Sequence, residues 1–312
     1  MASGRANKMV LEVKNLSKKF GNLVAVDSIS FSVDQGEIFG FLGPNGAGKT
    51  TTLRMLTGII EPDSGSIKLL GYDVKEDPIR VKERIGVVPE NANPYVDITA
   101  WQNMMITCGL YDLTGREAEE KSAEILRDFG IYDRRDQKVK EFSKGMKQRL
   151  VLSMALVHDP DFLFLDEPTS GLDVRSSLII VDKLKKLSED GKTIFLTTHN
   201  MWEAEKLCER IAIINHGRII TVERPHVLRE TTERLRRVEI LFDKKISPED
   251  LQGYIKVDEF KGNRIILKCE DLNPVLTGIS AFIRDSEGTV KVRSFNTLTP
   301  SLEEIFLKIA EG

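Results

Sequence analysis

Apolar and polar residues alternate along "SISFSVD" (Ser28–Asp34), the period of two that a strand with one buried face requires, and "VLEVKNL" (Val10–Leu16) has a similar strand-like texture. Behind them, "GEIFGFL" is an apolar run that breaks into glycines and then into a helical pattern. Thr57 and Gly58 end that helix, because glycine suits a helix C-terminus. "SGSIKLLGYDV" and "RIGVVPE" read as further strands. Between Glu90 and Ser143 the texture turns helical. Thr99–Gln102 and Thr114–Glu117 both have capping-box spacing, and Ile125, Leu126 and Phe129 give an apolar face closed by Gly130. Sheet character returns in "DFLFLDEP", "KTIFLTTH" and "RIAIINHGRII", with the helical "SSLIIVDKLKKLSEDG" among them. Past about Arg224, "RVEILFD", "RIILKCE" and "TVKVRSF" are short strands around a helix in Asn273–Asp285, and "SLEEIFLKIA" closes the chain as an amphipathic helix. The order predicts an α/β core over residues 9–224, with a helical subdomain at about 91–150, and then a small α+β domain over 225–312. Residues 1–8 read as a tail, since "MVLEV" from Met9 has the look of a natural start.

Composition narrows the partners. The 312 residues are 41% hydrophobic and 30% charged with a formal net charge of −3, which removes any general electrostatic case for nucleic-acid or anionic-membrane binding. Basic runs such as "ERLRR" (Glu233–Arg237) read as solvated helix surface. Cys108, Cys208 and Cys269 are scattered, without CxxC or CxxH spacing, so neither a disulfide framework nor a zinc site is indicated. No stretch reaches the roughly 20 apolar residues of a membrane-spanning helix. The expected location is the cytosol.

Three segments carry chemistry. "GPNGAGKT" satisfies G-x-x-x-x-G-K-[ST] with a strand before it and a helix after it. In such a loop the backbone N–H groups of Gly43, Pro44, Asn45, Gly46, Ala47 and Gly48, proline excepted, can close on phosphate oxygens. Lys49 brings a positive charge to the terminal phosphates, Thr50 offers a hydroxyl to Mg²⁺, and Thr51 follows on the helix. "FLFLDEP" delivers two acids at the end of a buried strand, Asp166 for the metal and Glu167 for the attacking water. "EFSKGMKQRL" places Ser143 and Gly145 at a second helix mouth, where free N–H groups and the helix dipole favour an anion.

Together these segments resemble the nucleotide-binding subunit of ABC transporters over roughly Val10–Arg224. "GPNGAGKTT" is similar to the family's Walker A, "FLFLDEP" to Walker B, "SGLD" (Ser170–Asp173) to the D-loop, "TTHN" to the H-loop with His199, and "FSKGM" to the signature usually written LSGGQ. The resemblance implies a P-loop NTPase fold, a mixed sheet with helices and a helical subdomain, with ATP and Mg²⁺ as ligands. It makes Phe20 the ring that stacks on adenine, His199 a γ-phosphate contact, and Ser143 with Gly145 a contact to nucleotide held by a partner subunit. Partners are implied as well: a homodimer that closes head to tail on ATP, and an integral membrane permease on a separate chain, with the ATPase peripheral at the inner face of the membrane and no nucleic acid bound.

Departures refine the picture. Lys144 and Met146 differ from the commonest signature, and Glu90 in "GVVPEN" stands where the family usually has a glutamine, which makes Glu90 a third candidate metal contact. "NPYVDITAW" (Asn93–Trp101) lies where the family receives its permease, although Trp101 also suits a helical core. The closing "TPSLEEIFLKI" resembles the exporter-type branch. The alternative is a soluble ABC ATPase acting on ribosomes or nucleic acid. A single cassette, with room between Lys49 and Ser143 only for a helical insert, argues for transport.

Overall fold

The computed structural model of the protein describes residues 8–91, 93–232, 236–269 and 271–298. The chain divides into two compact units, Met1–Arg224 and Pro225–Gly312.

In the first unit, β1 (Met9–Phe20) and β2 (Leu23–Asp34) form a long antiparallel hairpin. β3 (Ile38–Leu42) is buried at every residue and leads through the glycine loop into α1 (Lys49–Leu56). "SGSIKLLGYDV" is two strands rather than one, β4 (Ser64–Leu69) and β5 (Tyr72–Asp73), because Leu70 and Gly71 both adopt positive φ and turn the chain back. After the short α2 (Pro78–Lys82), β6 (Ile85–Val88) precedes the helical stretch α3 (Ala100–Leu110), α4 (Gly115–Asp128) and α5 (Lys144–Leu156). Then come β7 (Phe162–Asp166), α6 (Val174–Glu189), β8 (Thr193–Thr198), α7 (Met201–Leu207), β9 (Arg210–Asn215) and β10 (Arg218–Glu223). The run "RIAIINHGRII" is split by the same device as before, positive φ at His216 and Gly217.

The expected capping boxes fare differently. At Thr99 the hydroxyl accepts from the Gln102 N–H while the Gln102 side chain accepts from the Thr99 N–H, so the box is complete. Thr114 caps α4 without any side-chain bond, against expectation. Gly115, its first residue, has φ 58°, and a left-handed residue there turns the first-turn amides away from the hydroxyl.

Two sheets result, β2-β1-β4-β5, which is antiparallel, and β10-β9-β3-β8-β7-β6, parallel except for β10. The core includes Phe31, Phe39, Phe41 and Phe195, whose ring centroids lie 5.5–6.0 Å apart. At its edge, buried Glu37 forms a two-bond fork with Arg210, 2.6 and 2.9 Å, fastening the approach to β3 onto β9.

The second unit holds α8 (Pro225–Thr232), β11 (Arg236–Phe242), β12 (Glu259–Lys261), β13 (Arg264–Cys269), α9 (Leu272–Asp285) and β14 (Val292–Leu298), with antiparallel sheet order β12-β13-β11-β14. Its core joins Val238, Ile240 and Phe242 of β11 to Val275, Ile279 and Phe282 of α9. The basic run "ERLRR" is not helix at its described residues, while residues 233–235 lie outside the described ones. Arg236 and Arg237 belong to β11, drawn into the ladder by the alternating apolar residues Val238, Ile240 and Phe242. The closing "SLEEIFLKIA" segment lies outside the described residues.

Phe195 is fully buried and touches three of the other rings. Phe195→Ala is expected to cost about 3–5 kcal/mol of stability, read as a lower denaturant midpoint with the ordered fold retained. A loss below about 1 kcal/mol would mean that the aromatic cluster does not hold the core together.

Candidate functional site

The site forms where parallel strands end. Leu42 of β3 pairs with Thr198 of β8, Thr197 with Asp166 of β7, and Leu165 with Val88 of β6, so the residues beyond each strand emerge on one edge. Beyond β3 the loop from Gly43 to Gly48 turns sharply. Gly48 has φ 108°, and a Cβ there would collide with the Ala25 carbonyl oxygen, so only glycine fits. Pro44, Asn45 and Gly46 are exposed at the tip, while Ala47 is buried and its carbonyl accepts from the Gly217 N–H at 3.0 Å, tying the loop to the β9–β10 turn.

Lys49, at the start of α1, is buried. Its ammonium donates to the carbonyls of Gly43 (2.8 Å) and Pro44 (3.2 Å) and lies 3.3 Å from Glu167 Oε1. The other carboxylate oxygen of Glu167 lies 2.7 Å from His199 Nδ1, so one acid joins the loop lysine to the histidine just beyond the neighbouring strand β8. Glu167 itself has φ 52°, an uncommon backbone for a non-glycine residue, and its N–H donates to the carbonyl (3.0 Å) and hydroxyl (3.2 Å) of Thr197. Thr50 Oγ1 donates to Asp166 Oδ1 at 3.4 Å, and the Thr197 hydroxyl donates to the same oxygen. Thr50 and Asp166 thus present two hard oxygens side by side. That donor set suits Mg²⁺, which takes one or two protein ligands beside substrate phosphates.

Five of the candidate residues come together here: Lys49, Thr50, Asp166, Glu167 and His199. The Gly43–Gly48 loop wraps Lys49 from the same side, and the remaining candidates are placed as follows. Phe20 ends β1 with half its surface exposed and the Lys18 ammonium 5.7 Å from its ring centre. Thr51 follows on α1, and Glu90 is exposed two residues beyond β6 on the same strand edge. Ser143 is the N-cap of α5, its hydroxyl accepting from the Met146 N–H at 3.2 Å, and Gly145 packs so closely on Ser176 of α6 that a Cβ would collide with the hydroxyl. The signature-like helix is thereby seated against the segment after "SGLD", where Asp173 caps α6. Bonds from the Ser176 N–H and hydroxyl hold the Asp173 carboxyl below its ordinary range.

Sequence reasoning missed Thr169, Thr197, Thr198 and Glu203. Glu203 is buried in the first turn of α7, and burial pushes its carboxyl up to about 7, aided by the charge of Glu167 and opposed by bonds from Thr198 and Thr169 and by His199. The spacing Asn200-x-x-Glu203 hides it, being that of a surface helix start. Asn200 does cap α7, but its own N–H goes to Thr198 Oγ1 (2.9 Å) and Glu203 turns inward.

Residues 26–170 match the ABC transporter family model. The chain belongs to the ABC transporter family, as an ATP-binding, ATP-hydrolysing subunit of the exporter type. It is 37% identical over 300 residues to the Nod factor export ATP-binding protein I of Burkholderia orbicola (strain AU 1054), covering 96% of both proteins. It is 42% identical over 213 residues to the linearmycin resistance ATP-binding protein LnrL of Bacillus subtilis (strain 168), covering 68% of both. Among solved structures, an ATP-binding subunit of an ABC transporter superposes with a TM-score of 0.65 at 30% identity, over 72% of this chain and 93% of that one. Subunits of this family work with membrane permeases, and no helix among the described residues is long and apolar enough to cross a membrane.

The raised Glu203 value has a consequence for stability. The folded chain holds this proton more tightly than the unfolded one, so the contribution is complete below about pH 4.5 and lost as pH rises through about 7. Between pH 5 and 8 the wild type is expected to lose stability relative to Glu203→Gln, which cannot titrate, in paired thermal melts. A gap between the two proteins that stays constant with pH would contradict the raised value.

Proposed function

We propose that Lys49, Thr50, Asp166, Glu167 and His199 form one half of an ATP-hydrolysing site whose other half, Ser143 and Gly145, comes from a second copy of the chain. The observation that carries this reading is the Lys49–Glu167–His199 chain of contacts, set on the same strand edge as the Thr50–Asp166 pair. Backbone N–H groups of the loop from Gly43 to Thr50, Pro44 having none, bind the phosphates, Lys49 balances their charge, and Phe20 offers its exposed ring to the base. Thr50 and Asp166 hold Mg²⁺, with Glu90 as a further oxygen donor from beyond β6. When bound, the metal neutralises charge on the phosphates. Glu167 orients the attacking water and takes its proton, while His199 Nδ1 is committed to Glu167, which leaves Nε2 as the nitrogen for the γ-phosphate.

The second helix mouth explains why ATP produces motion. Ser143 and the dipole of α5 gain a partner only when a γ-phosphate is presented by the other subunit, so the closed head-to-tail homodimer is favoured by ATP and released after hydrolysis. The cassette spans residues 9–224, with its helical subdomain at about 91–150, and residues 225–312 form an appended domain. A permease on a separate chain docks at the exposed Tyr95 and Val96, beside α3. Buried Asn103 supports that loop, bonding both the N–H (2.8 Å) and the carbonyl (3.0 Å) of Tyr95. The names of the relatives speak of export and resistance, which supports outward transport by a complex at the cytoplasmic face of the membrane, with no nucleic acid involved.

Lys49→Ala is expected to weaken ATP binding about 10- to 100-fold, the worth of a charge-assisted bond. Glu167→Gln leaves affinity intact and slows phosphate release by about 10²- to 10⁴-fold, the range for a lost general base. Equal losses of affinity in both variants, by nucleotide titration, would contradict this division of roles. Glu90→Gln is expected to raise the Mg²⁺ concentration needed for half-maximal hydrolysis, because it removes a charged oxygen donor. An unaltered Mg²⁺ requirement would remove Glu90 from the metal.

A further inference from the structure

The first turn of α7 carries a carboxylate with no part in the phosphate or metal contacts. Glu203 is 1% exposed, and each of its oxygens accepts a hydroxyl bond: Oε2 from Thr198 at 2.6 Å and Oε1 from Thr169 at 2.9 Å. Thr198 immediately precedes His199. Thr169 lies two residues beyond Glu167 and immediately precedes the Ser170–Asp173 loop. Thr198 Oγ1 also accepts the Asn200 N–H, so its own proton is committed toward Glu203 and the contact has a defined direction. An acid in the first turn of a helix can satisfy the helix end while remaining in water, whereas burying it costs free energy unless both oxygens are bonded. Here both are bonded, one partner being the last residue of β8, just before His199, and the other lying in the segment that leaves Glu167.

We propose that Glu203 is a positioning residue whose carboxyl fastens the loop bearing His199 to the loop leaving Glu167, so that the histidine and the Ser170–Asp173 segment move as one body. The bonds carry the motion both ways. A displacement of His199 pulls Thr198, Glu203 and Thr169 in turn, and a displacement of Ser170–Asp173 travels the same route back. The groups that face Glu203 electrostatically are Glu167, His199 and the buried Cys208 at the end of α7. The bridge survives loss of the charge. In its neutral form the carboxyl still accepts from Thr198 and donates to Thr169, and a glutamine amide does the same.

The proposal rests on the hydrolytic reading for His199 and Glu167, but its test includes an arm independent of turnover. In the full chain, Glu203→Ala is expected to lower kcat by at least about tenfold, as a misplaced reacting group does, with ATP affinity within about twofold of wild type. Glu203→Gln retains most of kcat. Thr169→Val, which keeps side-chain volume and cuts one arm, lowers kcat like Glu203→Ala and adds little to it in the double variant. In hydrogen exchange without nucleotide, Thr169→Val speeds the amides of residues 170–173 and, across the bridge, that of Asn200. Faster exchange confined to 170–173 would overturn the coupling, as would equal kcat for the Ala and Gln variants. Coupled exchange in a chain that hydrolyses no ATP would uphold the bridge and count against the hydrolytic reading instead.

Discussion

Leu42 lies opposite Thr198, and Thr197 opposite Asp166, because β3, β8 and β7 run parallel and in register. Everything chemical in the first unit depends on that alignment. Parallel strands with helical crossovers send all their carboxyl ends to one edge, so the phosphate loop, the acid pair and the histidine arrive together from positions far apart in the chain. The aromatic cluster of Phe31, Phe39, Phe41 and Phe195 holds the sheets in place, and the Glu37–Arg210 fork fastens one end of β3. A register slip of one residue would move Asp166 to the opposite face of β7 and remove the metal oxygen from Thr50.

Within that frame the acid after β7 is the point of greatest local cost. Glu167 is buried, sits at positive φ, and places one oxygen on Lys49 and the other on His199. Such backbone costs of order 1–3 kcal/mol and persists only where neighbours over-determine it, which the two Thr197 contacts to its N–H do. The same threonine donates to Asp166, so one side chain of β8 sets the posture of both acids. Behind it, Thr198 and Thr169 converge on Glu203. The site is thus two layers deep, with residues suited to nucleotide in front and the residues that orient them behind.

Much of this was legible in the sequence because its signals are local. A glycine loop between strand and helix, acids after an apolar strand, and a serine opening a helix each need only a few consecutive residues to be recognised. Features that depend on tertiary partners escaped. Glu203 has the spacing of a surface cap, and only the fold shows that Asn200 alone serves the helix while the acid is buried. The apolar runs around Leu70–Gly71 and His216–Gly217 read as continuous, since their turns rest on consecutive left-handed residues without proline. Thr114 has the right spacing for a box that Gly115 defeats, and Arg236 and Arg237 are strand residues because Val238, Ile240 and Phe242 pull β11 into its sheet.

Ser143 completes, on the proposed reading, a site held by another copy of the chain. The most direct test is the solution mass of the Glu167→Gln protein, measured by light scattering with and without Mg-ATP. A monomer that becomes a dimer only with Mg-ATP, and fails to do so when Ser143→Arg is added, is the predicted result. A protein that binds Mg-ATP and keeps the same mass, or one that dimerises equally well when Ser143→Arg is present, would contradict it.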